Sequence, residues 1–452
     1  MKNKLSSFSY IRFFSLIATA FILLAATCSL PASATNAPAL TSESAILIDG
    51  KTGNILFEKN STKIMYPAST TKIMTALVVL DAIKNNETAP DKVFTLSQAA
   101  FDTLAADGSS IGLKVGESMT VQGLLQGLLI ASGNDAAAVL AEGIAGSQDA
   151  FVLRMNEKAA ELSLRNTHFV NPHGLHHQQH YTTALDMAAL AFEAMKHEAF
   201  REIVECAHIY LPATNMSDER YFINTNNLVS RMRYAHYYYD YATGIKTGST
   251  TEAGTCLVSS AEKNGTSVIA VVFKASDVSV SHNESKELLE YGLTAFSVQR
   301  LAKRDDIFGE IKVKQAADGT DHIILSAENN VEALFPKDGD SSLVQVVTDI
   351  DEVAYAPIEY GQKLGTATFI YKGNKVGEVN LVSTVKIERH LLGGIMSFFE
   401  WVWSFVAVRI IIYLILIVAL LFAAILVVGF TRAIKKSKRK HRRMNDYHPP
   451  RY

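Results

Sequence analysis

Cysteine is scarce in this chain, with three residues in 452, at Cys28, Cys206 and Cys256. Neither Cys206 nor Cys256 has a His or Cys neighbour at the spacing of a zinc site, and whether the two pair is left open. Four closely spaced histidines are the other candidates for metal ligands: His173, His176, His177 and His180. They lack a cysteine and a Glu-x-x-His frame, so we interpret them as a polar loop and expect neither a metal nor a cofactor.

Positive charge is also sparse, except at the two ends of the chain. Of the 43 Lys and Arg residues, three precede Thr35 and nine follow Phe430, which leaves 31 basic and 44 acidic residues between them. The formal net charge of −2 hides this asymmetry. A body with a net charge of −13 has little to neutralise phosphates with, so we expect no nucleic-acid partner.

The N-terminus has the pattern of a secretory signal peptide. Three basic residues precede an apolar run at 13–26, and small residues follow at Ala32-Ser33-Ala34. We therefore predict that residues 1–34 are removed. A lipid anchor on Cys28 is disfavoured, because Ala25-Ala26-Thr27 fits a lipobox poorly.

Near the C-terminus, residues 410–430 carry no charge and are long enough to span a bilayer. Three aromatic residues precede this run as an interfacial belt: Trp401, Trp403 and Phe405. Eight basic residues follow within twelve positions, so the positive-inside rule places the tail at 431–452 in the cytoplasm and the body outside. We predict an interfacial linker at 389–409 and one transmembrane helix at 410–430, with the basic tail against anionic lipid.

The body of about 375 residues suggests two domains. Residues 40–302 mix strand and helix patterns, which predicts an α+β fold with an antiparallel sheet flanked by helices. The predicted strands are 45–48, 54–57, 244–248, 255–261 and 267–273, and the predicted helices are 69–82, 121–144 and 285–302. Residues 303–388 show short alternating strands between Gly-containing turns, which predicts a small all-β domain. Its predicted strands are 311–314, 322–325, 343–348, 366–371 and 376–385.

Three short signatures occur in order along the chain: Ser69-Thr70-Thr71-Lys72, Ser132-Gly133-Asn134 and Lys246-Thr247-Gly248. Each is weak alone, because further copies occur at 260–263, 437–440 and 51–53. The surroundings favour the first set. Ser69 opens an apolar run with helical spacing, which places Ser69 and Lys72 on one face of a first turn. The copy at 437–440 lies in the basic tail, and 51–53 is typical of a turn between strands.

A serine and a lysine at this spacing favour acyl transfer. Ser69 is a poor nucleophile unless a neighbour takes its proton. Lys72 can do so only when it is neutral, which requires burial or nearby positive charge, and Lys246 could provide that charge.

These motifs resemble those of the penicillin-binding proteins, in particular the low-molecular-mass D-alanyl-D-alanine carboxypeptidases. The similarity extends over residues 45–293 and includes Asn171-Pro172-His173-Gly174-Leu175. A weaker similarity to the family's C-terminal module covers the predicted β domain, around Gly361-Gln362-Lys363-Leu364-Gly365. The resemblance implies a transpeptidase-like fold and a bacterial enzyme anchored in the cell membrane, with its catalytic domain on the cell-wall side.

The resemblance also implies an activity: removal of the terminal D-alanine from peptidoglycan pentapeptide through an acyl-enzyme on Ser69, with β-lactams as covalent inhibitors. It implies that Ser132 bridges the two lysines and passes a proton to the leaving amine, and that the backbone N–H groups of Ser69 and Ser249 form an oxyanion hole. The expected catalytic residues are Ser69, Lys72 and Ser132, and the expected substrate-binding residues are Asn134, Lys246, Thr247, Gly248 and Ser249.

Three alternatives remain open from the sequence. A serine β-lactamase would need a deacylating Glu, and Glu161 is a near miss to its motif. A D,D-endopeptidase would use the same site on cross-links, and a non-catalytic, membrane-tethered binder of peptidoglycan would not need the intact motifs. The chain also departs from the family at Ser281-His282-Asn283, where relatives often carry an Arg. The sequence therefore leaves the cation for the substrate carboxylate unassigned.

Overall fold

The computed structural model describes residues 37–390, 401, 403 and 405–445. The predicted signal peptide lies outside the described residues, as does most of the predicted interfacial linker. Contacts within the chain define two compact units. The first contains the chain through Lys303 with residues 330–347 and 368–378, and the second contains 304–329, 348–367 and the chain from 379 on.

The described residues form seventeen strands and nine α-helices. The strands are β1 (Ser44–Asp49), β2 (Ile55–Lys59), β3 (Val93–Thr95), β4 (Ser118–Thr120), β5 (His208–Leu211), β6 (Arg220–Ile223), β7 (Ala242–Thr250), β8 (Gly254–Lys263), β9 (Thr266–Ala275), β10 (Phe296–Ala302), β11 (Ile307–Lys314), β12 (His322–Ala327), β13 (Val331–Pro336), β14 (Gln345–Ile350), β15 (Val353–Tyr355), β16 (Lys363–Tyr371) and β17 (Asn374–Ser383). The helices are α1 (Lys72–Lys84), α2 (Gln98–Asp102), α3 (Val121–Ile130), α4 (Asn134–Ala145), α5 (Gln148–Glu161), α6 (Ala184–Ala194), α7 (Glu198–Glu205), α8 (Val278–Thr294) and α9 (Val406–Asn445).

An antiparallel sheet of five strands, in the order β2-β1-β9-β8-β7, organises the first unit. Strands β8 and β9, which match the predicted strands 255–261 and 267–273, form a hairpin. Asn264 and Gly265 both take positive φ, as a tight two-residue hairpin turn requires. β7 lies at the edge of the sheet, so one side of this strand is left open for other groups. The predicted α+β class is confirmed.

Helix α1 runs through the middle of the main hydrophobic core. Almost all of its residues from Lys72 to Leu80 are buried, including residues on opposite faces such as Ile73 and Leu77. Helices α3, α4 and α6 pack around it, and α8 covers the other face of the sheet. Because the start of α1 lies inside this core, the side chain of Lys72 is held away from water.

Two predicted helices differ from the structure. The prediction of one helix at 121–144 is wrong, because the chain breaks at Ser132, whose φ is +63°, and restarts as α4. The predicted helix at 285–302 is also misplaced. Helix α8 begins at Val278, seven residues before the expected start. Asp277 caps it by accepting a hydrogen bond from Val280 N–H. Residues 296–302 are not helical but pair with β13, which the sequence did not predict.

Between Arg304 and His390 the regular secondary structure is mainly strand, as predicted. Six strands form one sheet in the order β14-β16-β17-β12-β11-β15. Four of the five predicted strands match β11, β12, β16 and β17 within a few residues, and the fifth, 343–348, corresponds to β14. The short strand β15, which pairs in parallel with β11, was not predicted. The boundary at 302/303 between two domains stays a prediction.

Helix α9 contains the predicted membrane span. Among the described residues, the segment Arg409–Lys436 is the helix that is long and apolar enough to cross a bilayer, with a mean hydropathy of 3.4 in its most apolar part. Its apolar side chains are exposed to the surroundings. The aromatic side chains ahead of it are exposed as well: Trp401, Trp403 and Phe405.

Candidate active site

Ser69 lies in a short 3₁₀ turn, Ala68–Thr71, that leads into α1. Ala68 has a φ of +46°, a left-handed conformation that is strained for a residue with a Cβ. Two hydroxyls hold the turn: Thr70 Oγ1 donates to the Pro67 carbonyl at 2.6 Å, and Thr71 Oγ1 donates to the Ala68 carbonyl at 2.8 Å. The turn therefore fixes the backbone on both sides of Ser69.

A chain of hydrogen bonds supports this turn from behind. Val170 N–H donates to His180 Nδ1 at 3.2 Å, and His180 Nε2 lies 2.8 Å from Thr71 Oγ1. Because the Thr71 hydroxyl already donates to Ala68, it accepts from His180, which assigns the neutral Nε2–H tautomer. Burial lowers the pKa of His180 to about 3, which agrees with a neutral ring.

Lys72 Nζ lies at the centre of three oxygen atoms. It is 2.9 Å from Ser69 Oγ, 2.7 Å from Asn134 Oδ1 and 2.8 Å from the carbonyl oxygen of His173. The last two oxygens can only accept hydrogen bonds, whereas the Ser69 hydroxyl can donate or accept. Lys72 itself is fully buried. The structure thus brings together Ser69, Lys72 and Asn134 from two of the three sequence motifs.

Two buried lysines lie under Ser69. Burial, together with the positive charge of Lys246, holds the pKa of Lys72 well below its usual range. Burial alone lowers the pKa of Lys246 to about 7. Asp135 opposes the shift at Lys72, but its carboxylate is occupied by hydrogen bonds from the backbone N–H groups of Ile111 and Leu113. Burial therefore favours the neutral form of both lysines over the charged form.

The second motif lies in the break between α3 and α4. Ser132 is nearly buried, and Gly133 leads into α4, whose first residue is Asn134. Asn134 N–H donates to the Ser109 carbonyl at 2.8 Å, which fixes the start of the helix. Among the described residues, no hydrogen bond joins Ser132 to Lys72 or Lys246, so the bridge expected between the lysines is not formed.

The third motif lies on the edge strand β7, which passes next to the Ser69 turn. A Cβ on Gly248 would stand 2.9 Å from the Pro67 carbonyl and 3.0 Å from Ser69 N, so a larger residue would push the strand away. Thr247 Oγ1 donates to Thr225 Oγ1 at 2.8 Å, and Ser249 is exposed. Gly248 therefore allows the backbone of β7 to approach that of Ser69 closely.

Two adjoining cavities, of about 260 and 280 Å³, contain Ser69 in their walls. The first also exposes Ser132, Thr247 and Ser249, and the second exposes Asn134. Ser69 and Ser249 line both, so the predicted site residues except Lys72 and Lys246 lie around one opening beside the nucleophile. A larger cavity of about 720 Å³ elsewhere in the first unit contains none of them.

Known proteins resemble this chain in both sequence and fold. A family profile described as D-alanyl-D-alanine carboxypeptidase matches residues 31–277, and the C-terminal domain of penicillin-binding protein 5 matches residues 296–389. The D-alanyl-D-alanine carboxypeptidase DacF of Bacillus subtilis is 37% identical over 74% of this chain and 83% of its own length. DacC of Escherichia coli is 32% identical over 86% of this chain and 94% of its own. This chain belongs to the D-alanyl-D-alanine carboxypeptidase family.

Solved structures agree with that assignment. Penicillin-binding protein 5 from Haemophilus influenzae superimposes on this carboxypeptidase with a TM-score of 0.65 and 28% sequence identity. The match covers 78% of this chain and 99% of the other. The likeness therefore includes the module after Lys303 as well as the catalytic unit.

Two residues that shape the site of this carboxypeptidase, His173 and His180, were not predicted from the sequence. The His173 carbonyl accepts from Lys72 Nζ, and His180 supports the Ser69 turn. All four histidines lie in a loop, but the side chains of His173 and His180 are buried, whereas His176 and His177 are exposed. The buried His173 and His180 flank the exposed His176 and His177 in a segment without regular secondary structure, so spacing alone could not separate them.

Glu161, the candidate deacylating residue of a β-lactamase, lies away from the two cavities that contain Ser69. It ends helix α5, and its carboxylate accepts a hydrogen bond from Lys158 at 2.9 Å on the surface. The two described cysteines are both free: Cys206 is exposed, and Cys256 is buried beside the Lys-Thr-Gly strand. Burial raises the pKa of Cys256 to about 12, so its thiol is an inert packed group.

Proposed function

We propose that this chain removes the terminal D-alanine from peptidoglycan pentapeptides through an acyl-enzyme on Ser69, and that β-lactams acylate the same oxygen. Membership of the family makes the chain a serine-type D-Ala-D-Ala carboxypeptidase. The observation that carries the residue assignment is the set of partners around Lys72 Nζ.

A neutral lysine has two N–H donors and one lone pair. Asn134 Oδ1 and the His173 carbonyl take the two donors, because neither oxygen can donate. The lone pair is then left for the Ser69 hydroxyl at 2.9 Å. The lowered pKa of Lys72 supports the neutral form, so Lys72 is suited to act as the general base.

The reaction needs two displacements at one carbonyl carbon. Ser69 Oγ bonds to the carbonyl carbon of the penultimate D-alanine while its proton moves to Lys72 Nζ. The bond to the terminal D-alanine then breaks and, with substrate bound, the Ser132 hydroxyl passes the proton from Lys72 Nζ to the leaving nitrogen. Water then attacks the ester carbon and gives a proton to Lys72 Nζ. The bond from that carbon to Ser69 Oγ breaks, and Ser69 Oγ takes the proton back as the shortened peptide leaves with a free carboxyl group. The close approach of β7 at Gly248 supports an oxyanion hole from the N–H groups of Ser69 and Ser249, worth about 3 kcal/mol per donor.

The other motif residues bind substrate in this proposal. Asn134 uses Oδ1 for Lys72, so its Nδ2 donors are the groups left for the substrate amide. The substrate would lie in an extended conformation along the open edge of β7, the strand that carries Lys246, Thr247 and Ser249. Thr247 and Ser249 face the opening, where their hydroxyls are suited to the terminal carboxylate.

We also propose that α9 anchors the enzyme in the cell membrane. Its segment Arg409–Lys436 is apolar, and the basic residues that follow favour a cytoplasmic tail. The catalytic unit would then lie on the cell-wall side, where peptidoglycan is found. In the same scheme, residues 303–388 form a separate β domain and residues 1–34 are removed during export.

One preparation tests the activity in two ways: covalent labelling by a fluorescent penicillin, and release of D-alanine from a pentapeptide ending in D-Ala-D-Ala. The proposal expects both from the wild type and neither from Ser69→Ala. Ser260→Ala is the matched control, because Ser260 opens another Ser-x-x-Lys copy but lies buried in β8, and it should behave as the wild type. Labelling without release would favour a non-catalytic binder, and release from cross-linked dimers alone would favour an endopeptidase.

A further inference from the structure

The cavity next to Ser69 holds one permanent positive charge. Among the described residues that line the two cavities, Arg233 is the only Lys or Arg. Lys72 and Lys246 lie beneath the surface, fully buried, and burial lowers the pKa of both. An anionic group of a ligand in this opening would therefore meet Arg233 as its exposed cation.

Helix α8 contributes a neutral group to the same cavity. His282 Nδ1 lies 2.8 Å from the Val278 carbonyl, which can only accept, so Nδ1 carries the proton. Its Nε2 accepts from Asn227 N–H at 3.3 Å. The ring is almost completely buried, and burial lowers its pKa. His282 therefore has both nitrogen atoms committed as a neutral imidazole.

His282 instead holds the segment that carries Arg233. The rings of His282 and Tyr237 pack at 5.0 Å, and Tyr237 packs on Tyr234 at 6.1 Å between ring centres. Tyr234 follows Arg233 and lines the cavity with it. These tilted and edge-to-face ring contacts place the Arg233 backbone at the rim of the opening.

Arg231 and Arg233 differ in what they contact. Arg231 pairs with Asp240 at 3.0 Å, and its guanidinium lies 4.1 Å from the centre of the Tyr238 ring. Arg233 is exposed and forms no ion pair within the described part of the chain. Arg231 is thus occupied by Asp240 and Tyr238, whereas the guanidinium of Arg233 is available to bind a ligand.

We propose that Arg233 binds the free carboxylate at the C-terminus of the substrate peptide and sets the preference of the enzyme for that end. The inference rests on the proposed function, because it takes the peptide to lie beside Ser69 with its terminal residue towards Thr247 and Ser249. A guanidinium matches a carboxylate through two parallel N–H donors. Arg233 is a specificity residue in this scheme and takes no part in the proton transfers.

The test compares two peptides, one ending in D-Ala-D-Ala with a free carboxylate and one ending in the carboxamide, on the full chain in detergent. The wild type should prefer the acid. Arg233→Gln should lower kcat/KM for the acid roughly 10- to 100-fold, the range of a lost charged hydrogen bond, and leave the amide unchanged. Arg233→Lys should recover part of the preference. Added salt should weaken the preference of the wild type more than that of Arg233→Gln, because the guanidinium is exposed.

Arg231→Gln is the matched control, because it removes the neighbouring charge and should keep the wild-type preference. If Arg233→Gln keeps the preference for the acid, or loses activity equally on both peptides, the assignment of Arg233 is wrong while the proposed function stands. A wild type that neither takes up penicillin label nor releases D-alanine would instead overturn the proposed function, and the inference with it.

Discussion

Gly174 lies against the carbonyl group of Ala68, so closely that a Cβ on Gly174 would stand 1.9 Å from the carbonyl oxygen. Gly174 itself has a φ of +90°, and Ala68, directly before the nucleophile, has a φ of +46°. The segment that supplies the His173 carbonyl to Lys72 thus also holds the turn of Ser69 in place. The position of Ser69 and its activation by Lys72 therefore both depend on the segment that contains His173 and Gly174.

Gly174→Ala should therefore slow acylation by a penicillin at least about 100-fold, because Ala68 and Ser69 must move to admit the methyl group. The variant should also lose about 1–3 kcal/mol of stability. Gly146→Ala is the control. Gly146 has a similar φ of +81° but open space around it, so about 1 kcal/mol of stability should be lost and the acylation rate kept. Equal acylation rates in the two folded variants would refute the structural account.

Lys72→Arg should reduce acylation nearly as much as loss of the side chain would, by roughly 100- to 10,000-fold. Arginine keeps the positive charge but cannot give up its proton at working pH, so it cannot take the proton of Ser69. Lys84→Arg, at the exposed end of the same helix, should acylate at the wild-type rate. The acylation rate is measured from a time course of covalent labelling with a fluorescent penicillin, quenched at successive times. An active Lys72→Arg variant would assign the base elsewhere.

Lys246→Met should raise stability while it abolishes turnover. The folded pKa of Lys246 is about 7, below its usual value of 10.5, so the unfolded chain binds more protons between these values. The resulting penalty is largest at and below pH 7 and shrinks as the pH rises towards 10.5. Removing it should stabilise the protein by roughly 2–4 kcal/mol at pH 7 and by less at pH 9.5.

Thermal unfolding of the detergent-solubilised chain at the two pH values measures this effect. A gain in Tm that does not change between pH 7 and pH 9.5 would contradict the assignment of the penalty to Lys246. Lys263→Met is a suitable comparison, because Lys263 lies at the end of β8 in a half-exposed position and carries no comparable burial cost.

A chain that ends at His390 should be soluble and still label with penicillin. The backbone N–H of His390 donates to the Gln315 carbonyl, and Ile387 pairs with Ile358. A chain that ends at His390 therefore keeps the backbone hydrogen bonds that hold the end of the β region. The segment Arg409–Lys436 would be absent from this chain, and with it the proposed anchor. Fractionation measures the result: activity that stays with the membrane would place the anchor elsewhere in the chain.

The sequence predicted the antiparallel sheet, the order of the motifs and the pairing of Ser69 with Lys72, because these depend on local patterns. It did not predict the break at Ser132, since stretches rich in leucine and alanine lie on both sides of it and a positive φ leaves little trace in composition. The same reason applies to His173: its carbonyl oxygen acts on Lys72, and a backbone group has no sequence signal. Arg233 was not predicted because its position depends on contacts of Tyr234 and Tyr237 with His282 of α8, which are distant in sequence.

The most direct test of the central claim is to locate the acylated atom. The full chain is incubated with penicillin, digested, and analysed by tandem mass spectrometry for the peptide that carries the penicilloyl group. The account predicts a single adduct on Ser69, absent from Ser69→Ala and strongly reduced in Lys72→Arg. An adduct on Ser132, Ser249 or any residue other than Ser69 would contradict it.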